Sequence, residues 1–438
     1  MLGFHLARFS VDATPPMNHP LCGGWIKPVV GVDDPLSLRG IVLQGAGLPI
    51  VLATLDWTGV MNESHRLWTE ALAEAAHTTP DRVALHCVHQ HNAPFIDRDG
   101  NALLSKSENP TLLYDERFVD DLIKRSAVAL RESLPQAQPI THCRSGEAEV
   151  KEVASNRRII GPDGKSLYVR YSSTTDPKVR AEPIGTIDPM LKSIGFCKGD
   201  KVLARLYYYA THPMSYYGDG RVTSDFVGLA RNKRDAEEPE TLHLYFTGSS
   251  GNITPGKYND GNHANRAILA ERVRAAMAAA DEAARPHETR LESIDWFTAP
   301  LTLEPREGLD LDQLKAIAAD PKRTTVERNR SAMTCGWLIR AASKRPILLT
   351  RLDLGDVSVL HLPAETFIEY QLEAQKIKPG SMLATAAYGD GGPWYLPLQR
   401  SFAEGGYEPS VAFSRSDTEP LYRDAIAGLL RKKGRSSL

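Results

Sequence analysis

The stretch "HCVHQHNAP" sets His86, His89 and His91 within six residues of a 438-residue chain that holds 13 histidines. Neutral imidazole is a preferred zinc ligand, and catalytic zinc keeps one position open for water. In extended backbone, residues i and i+2 face the same side. The spacing therefore predicts that His89 and His91 present both rings to one pocket, while His86 faces the other way as a core residue. Clustered histidines also serve as hydrogen-bonded or surface groups, so the pair by itself defines no metal site.

Further candidates stand where apolar runs end. His212 follows "YYYAT", Glu365 lies where "VSVLHLPAE" passes from strand to helix, and Tyr395 lies in the Gly/Pro-rich "GDGGPWYLP". Each has a plain structural alternative: a satisfied half-buried imidazole, a carboxylate favoured by a helix N-terminus, a packed phenol. Asp225 reads either as a partner for a ligand imidazole or as a cap on the following helix. Cys87 reads as a small buried hydrophobe, His361 as a packed side chain or one that orients a ligand, and His243 has no motif around it.

The elements that must position these groups alternate between strand and helix. Gly40–Thr58 reads as a hairpin and Asn62–His77 as a helix with apolar Leu67, Ala71, Leu72 and Ala75. "VALHCV" reads as a buried strand that delivers the histidines at its carboxyl end, where α/β folds place their chemistry. Asp115–Leu134 and Asn262–Ala284 read as helices, "KVLARLYYY" and "LHLYFT" as strands, and Leu311 to Ala342 as a broken helix. No internal repeat or domain linker interrupts the chain, which reads as one domain over 1–438.

Bulk properties narrow the class. Hydrophobic residues make up 42% and charged residues 24%, with a formal net charge of −2. That balance suits a globular protein and argues against nucleic acid or an anionic membrane surface as partner. No apolar run reaches the roughly 18 to 20 residues of a membrane span. No signal peptide is visible, so the expected location is cytoplasmic, or secreted with the signal removed. Five scattered cysteines with no CxxC pair argue against a disulfide framework.

Taken in order, the motifs resemble the catalytic domain of the neutral (non-lysosomal) ceramidases, a zinc amidase family. "HQHNAP" stands where that family has "THTHSxPGG". "YATHP", with Asp225 and Gly228 beyond it, stands for "FATH" and the run that follows. "SSGNITPG" stands for "NAGDVSPN" and "LPAE" for "LPGE". Tyr395 and Tyr407 keep the family spacing of twelve, the second in "YEPS". "ATPP", Asp56, "SNRR" and "IDP" fall in sequence, so the resemblance covers about Ala7 to Phe413.

The resemblance implies layered mixed β-sheets flanked by helices. It implies zinc held by His89, His212, Glu365 and Tyr395, with His91 beside the metal as a proton-handling or substrate-orienting group. Arg157 would bind substrate polar groups or developing negative charge, Thr254 stands at the position of an active-site serine, and Tyr407 would either support the ligands from behind or touch substrate. The activity implied is hydrolysis of an amide in an N-acyl or lipid-like small molecule by metal-activated water. Tyr395 either ligates the metal as phenolate or donates to an oxyanion.

Three departures mark this chain. Thr254 replaces the family serine, Phe95-Ile96 replaces a diglycine after the histidine motif, and about 25 residues follow Phe413, so no carboxy-terminal β-sandwich is expected. The metal is thus better supported than ceramide as substrate. An esterase or phosphoesterase on the same metal, and an inactive zinc-binding homologue, stay open at this point.

Overall fold

The computed structural model describes residues 3–285 and 287–434. Three sheets form the frame. The first runs in the order Val83–Cys87, Ile50–Leu55, Ser37–Gln44, Phe4–Asp12, Gln138–Ile140. The second runs Leu242–Thr247, Lys201–Tyr209, Met190–Lys198, His142–Glu149, Glu288–Arg290, and the third Asp295–Leu301, Ile347–Leu354, Val357–His361, Met382–Ala386.

All three share one design: antiparallel pairing throughout except for a parallel pair at one edge. Those pairs are Ile50–Leu55 with Val83–Cys87, Lys201–Tyr209 with Leu242–Thr247, and Val357–His361 with Met382–Ala386. A parallel pair ends both strands at the same level, so six strand ends become available for a common site.

Side-chain alternation glues the sheets together. In Lys201–Tyr209, Ala204, Leu206 and Tyr208 enter a core shared with Leu52 and Ala84 of the first sheet and Val359 and Ala384 of the third. The intervening Tyr207 and Tyr209 face the other way, onto the helices Asp225–Glu237 and Ala264–Ala284 through Phe226, Leu269 and Val273. A third apolar cluster packs Asn62–Ala75 and Glu116–Ser133 on the first sheet, with Trp57, Trp68, Leu72 and Leu122 fully buried.

The helical readings match the observed helices, and their ends have local causes. Asp115 caps Glu116–Ser133 by accepting from the backbone N–H of Arg117 at 2.9 Å. The segment from Leu311 splits into Leu311–Ala319 and Thr325–Ala342. Pro321 disfavours helical backbone at Asp320, and a reciprocal Thr324–Glu327 capping box starts the second helix. All five cysteines are free and buried. Among the described residues, no helix is long and apolar enough to cross a membrane.

Candidate metal centre

The three parallel edge pairs finish against one another and are tied there by cross-sheet hydrogen bonds. Cys87 N–H donates to Tyr388 O at 2.9 Å, Ala387 N–H to Thr247 O at 2.9 Å, and Thr247 N–H to His86 Nε2 at 2.9 Å. The Thr247 hydroxyl donates to Val88 O at 2.7 Å. His86 is therefore a buried clamp between two sheets, as its side of the strand suggested. The chain just past these ends supplies His89, His212, Ser250, Glu365 and Tyr388.

The two-residue parity that paired His89 with His91 does not hold. The strand ends at Cys87, and His89 has φ +78°, a left-handed conformation foreign to a strand. The rings still converge, with centroids 5.1 Å apart, because the turn re-aims them. Ala364, Tyr388 and Trp394, all close to Glu365 in the fold, also have positive φ, at 68°, 60° and 56°. Such backbone costs roughly 1–2 kcal/mol per residue, and here it gathers around one cluster.

Short pairings complete the frame. Glu365 lies opposite Tyr395 in a two-residue parallel ladder, and Ser155-Asn156 pairs with Ile253-Thr254, which brings Arg157 in. Gly251 donates its N–H to Thr366 O at 2.8 Å. A Cβ at Gly251 would stand 2.5 Å from Glu365 O, so the loop can close on Glu365 only as glycine.

At the centre, both ligand-type imidazoles are held by their Nδ1 atoms. His89 Nδ1–H donates to Thr58 O at 2.6 Å, and His212 Nδ1–H to Ser250 O at 2.7 Å. A carbonyl can only accept, so in the neutral rings each Nε2 is an unprotonated lone pair. Both Nε2 atoms lie 3.2 Å from the same oxygen, Glu365 Oε2, and the Tyr395 hydroxyl is 3.4 Å from His212 Nε2.

Three lone pairs thus face one another in a buried site, and His89 Nε2 and Glu365 Oε2 have no hydrogen-bond partner. Left so, the arrangement is repulsive; a cation between the donors removes the conflict. Zinc bonds of about 2.0–2.1 Å give a tetrahedron with edges of about 3.3 Å, close to the separations observed. The donor set fits a divalent metal.

His91 stands at the rim, half-buried. Its ring lies 6.2 Å from His212 and edge-on to Tyr217 at 5.2 Å, and neither ring nitrogen has a partner. The donor atoms of His89, His91 and His212 also fall within 4.8 Å of one another. Burial keeps the His91 imidazole well below its ordinary range, and the neighbouring histidines push the same way. Burial also lowers His212, while Glu365 pulls against it. Burial raises the Glu365 carboxyl, and charge taken up by the two imidazoles on protonation outweighs burial and holds it well below the usual carboxylate range.

Arg157 is fully enclosed. Its Nε donates to Glu408 at 2.7 Å, its guanidinium lies 5.2 Å from the Tyr395 and Tyr407 rings, and its Nη2 has no partner. Burial raises the Tyr395 phenol well above 10, against the pull of Arg157; burial likewise lifts Tyr407, to about 12.

Two expected residues are engaged elsewhere. The Thr254 hydroxyl donates to Arg170 O at 2.9 Å, which spends it on a loop. Asp225 does not orient an imidazole: it accepts from Ser215 N–H at 3.0 Å and Phe226 N–H at 2.7 Å at the start of its helix. The imidazoles are oriented by backbone carbonyls instead. His361 packs between Phe246 and Trp296, and His243 pairs with Asp235 at 3.0 Å.

Three participants escaped the sequence reading. Tyr388 stacks on His89 at 4.3 Å, and its hydroxyl bonds Ser250 Oγ at 2.8 Å; Glu408 anchors Arg157. Their only signal was position, just beyond a strand end or a tyrosine motif.

Compared with known structures, the chain matches neutral ceramidase from Pseudomonas aeruginosa with a TM-score of 0.70 and 14% identity, covering 100% of this chain and 76% of that one. A ceramidase complexed with C2 matches at 0.70 and 14%, covering 98% and 75%. No protein-family model and no curated protein matches the sequence. The fold is that of the neutral ceramidases, in layered mixed sheets flanked by helices.

Proposed function

We propose that this protein is a zinc-dependent hydrolase of an amide bond in an N-acyl small molecule. The observation that carries the reading is the convergence of His89 Nε2, His212 Nε2 and Glu365 Oε2, three lone pairs that one bound cation would satisfy together. That the similar solved structures are ceramidases supports the amide as the bond cleaved.

His89, His212 and Glu365 would hold the metal, with Tyr395 as the fourth protein group. When bound, zinc supplies Lewis acidity toward a carbonyl and an activated water. The residues supply the rest. Arg157 directs an unpaired, buried Nη2 toward negative charge on the carbonyl oxygen, in an enclosed place where a fixed cation acts strongly. Glu408 and the two tyrosine rings hold that guanidinium in place. His91, neutral and without a partner, accepts a proton and returns it to the leaving amine. Tyr407 contacts substrate beside Arg157.

One donor cluster is found among the described residues, whereas many phosphoesterases use two ions, so the amide reading is preferred. The test pairs metal analysis with a panel of fluorogenic N-acyl amides, p-nitrophenyl acetate and p-nitrophenyl phosphate. One zinc per chain with metal-dependent amide turnover is expected. Turnover of the phosphate alone refutes the reading, and zinc binding without any acyl turnover favours an inactive homologue.

A further inference from the structure

Near the metal donors stands an arginine with no carboxylate. Arg330, on the helix Thr325–Ala342, is half-buried, and among the described residues its guanidinium forms no ion pair and no hydrogen bond; its Nε is buried without a partner. Aromatic rings hold it instead. The guanidinium carbon lies 5.4 Å from the Trp25 ring and 5.6 Å from the Trp394 ring, and the two indoles are 5.3 Å apart. An aromatic face restrains a guanidinium without consuming its N–H groups, so the donors of Arg330 stay free. The other arginines of the site differ: Arg157 is paired with Glu408, and Arg158 with Glu404 and Glu408.

The same segments that carry the donors fix Arg330 beside them. Cys22 N–H donates to Ala93 O at 2.8 Å, which joins the turn before Trp25 to the histidine motif. Asn329 Nδ2 donates to Gly23 O at 2.7 Å, which joins that turn to the helix one residue before Arg330. Trp394 O accepts the Glu365 N–H at 2.8 Å. The charge is felt at the site: burial lifts the Tyr407 phenol to about 12, and Arg157 and Arg330 both pull against it. Tyr407 also meets Tyr171, which is 52% exposed, at a ring separation of 6.1 Å, so this side opens to solvent.

We infer that Arg330 determines specificity: it receives a carboxylate that the substrate carries several bonds from the scissile amide, so the substrate class is an acidic N-acyl compound. The inference rests on the amide-hydrolase reading. With the carbonyl oxygen at Arg157, the substrate extends past Tyr407 toward Arg330. A planar guanidinium whose edge is free matches a planar carboxylate with two parallel hydrogen bonds. Half-burial between two indoles lowers the competition from water that makes an exposed arginine a weak anchor. A hydrogen bond between charged groups in such a place changes kcat/KM by about 10–100-fold.

The test measures kcat/KM on the zinc-loaded full chain for two matched pairs. One is N-acetyl-ε-aminocaproate against its primary amide, with the acid on the amine half. The other is the monobutylamide of adipic acid against its primary amide, with the acid on the acyl half. Wild type should prefer the acid in at least one pair by about 10–100-fold, and that pair assigns the acid to its half of the substrate. Arg330→Gln should bring the ratio to within about threefold of one, and Arg330→Lys, which keeps the charge, should restore part of it. The ratio cancels any general loss of activity, so a merely structural role for Arg330 would not move it. A wild type that cleaves acid and amide alike in both pairs overturns the inference and leaves the amide reading intact. A preference that survives in folded Arg330→Gln overturns the role of the residue. Calorimetric binding of the same four compounds is the second readout. No turnover, with acid binding that is lost in Arg330→Gln, refutes the amide reading while the anion site stands. No turnover and no binding that depends on Arg330 overturns both.

Discussion

Two buried carboxylates, Asp56 and Glu365, are 0% and 4% exposed and both stand just past strand ends, yet their surroundings are opposite. Asp56 is saturated: it accepts from Arg231 Nη1 at 2.6 Å and Nη2 at 2.9 Å, and from the Ser37 N–H and hydroxyl at 2.9 and 2.8 Å. Glu365 faces only imidazole lone pairs. Burial raises both carboxyls; at Asp56 the fixed charge of Arg231 outweighs it, and at Glu365 only charge that the two imidazoles gain on protonation does so. Arg231 is the cation for Asp56; under the proposed function, the cation for Glu365 is the bound metal. A buried charge that is satisfied marks construction; one whose neighbours are all acceptors marks a binding site.

The sharpest way to break the comparison is to neutralise each carboxylate. Glu365→Gln, and equally His89→Ala or His212→Ala, should abolish stoichiometric zinc by mass spectrometry and lower amide turnover by about 10³-fold or more, roughly 4 kcal/mol in barrier. The metal-free Glu365→Gln protein should melt no lower than metal-free wild type, because an amide N–H can donate to a facing lone pair. Asp56→Asn should do the reverse. It strands Arg231 and should cost about 3–5 kcal/mol in denaturant unfolding, while folded protein keeps its zinc. Equal zinc loss in both variants would erase the distinction.

Tyr388 probes the support of the open site. Tyr388→Phe removes the bond to Ser250, whose carbonyl orients His212, and leaves the stack on His89. Loss of an orienting partner typically weakens metal binding by about 10–100-fold, and chelator competition should show it with little change in melting.

A further prediction concerns pH and uses histidines that, like Asp56, belong to construction. Burial lowers His19 from 6.5 to about 4, and His86 and His361 to about 3. Below pH 6.5 the unfolded chain binds protons that these native rings refuse. Stability should therefore fall with decreasing pH, down to about pH 4 for His19 and about pH 3 for the others. Each contributes on the order of 1.4 kcal/mol per pH unit. Urea unfolding of His361→Gln should show a pH slope shallower by about one proton. The smallest effect is expected at Thr254: Thr254→Val should cost about 1 kcal/mol through its lost bond to Arg170 and leave zinc content unchanged.

The candidate site was largely legible because its residues sit in short motifs at strand ends, where strand geometry and a loop coincide. His89, His212, Glu365, Tyr395 and Arg157 do converge. Backbone parity does not bring the histidine pair together, because φ at His89 is +78° and the turn re-aims the rings. Tyr388, Ser250 and Glu408 were not legible, since a tyrosine after an alanine-rich strand or a glutamate after a tyrosine carries no local pattern. Asp225 was offered two roles by its position, and only the packed structure assigns it to its own helix and to Ser215.

By itself, then, the sequence determined the periodic elements and the polar residues at their ends, because both depend on neighbours within a few positions. Helix amphipathicity, the stop at Pro321 and the histidine spacing are all of that local kind. Only the tertiary structure decided which strand ends meet, that carbonyls from Thr58 and Ser250 turn two imidazoles toward one carboxylate, and that Phe95 fills space beside them. Those outcomes depend on contacts across tens to hundreds of residues, where a hydrogen bond of 2.6 Å rather than a sequence interval chooses which nitrogen faces the site.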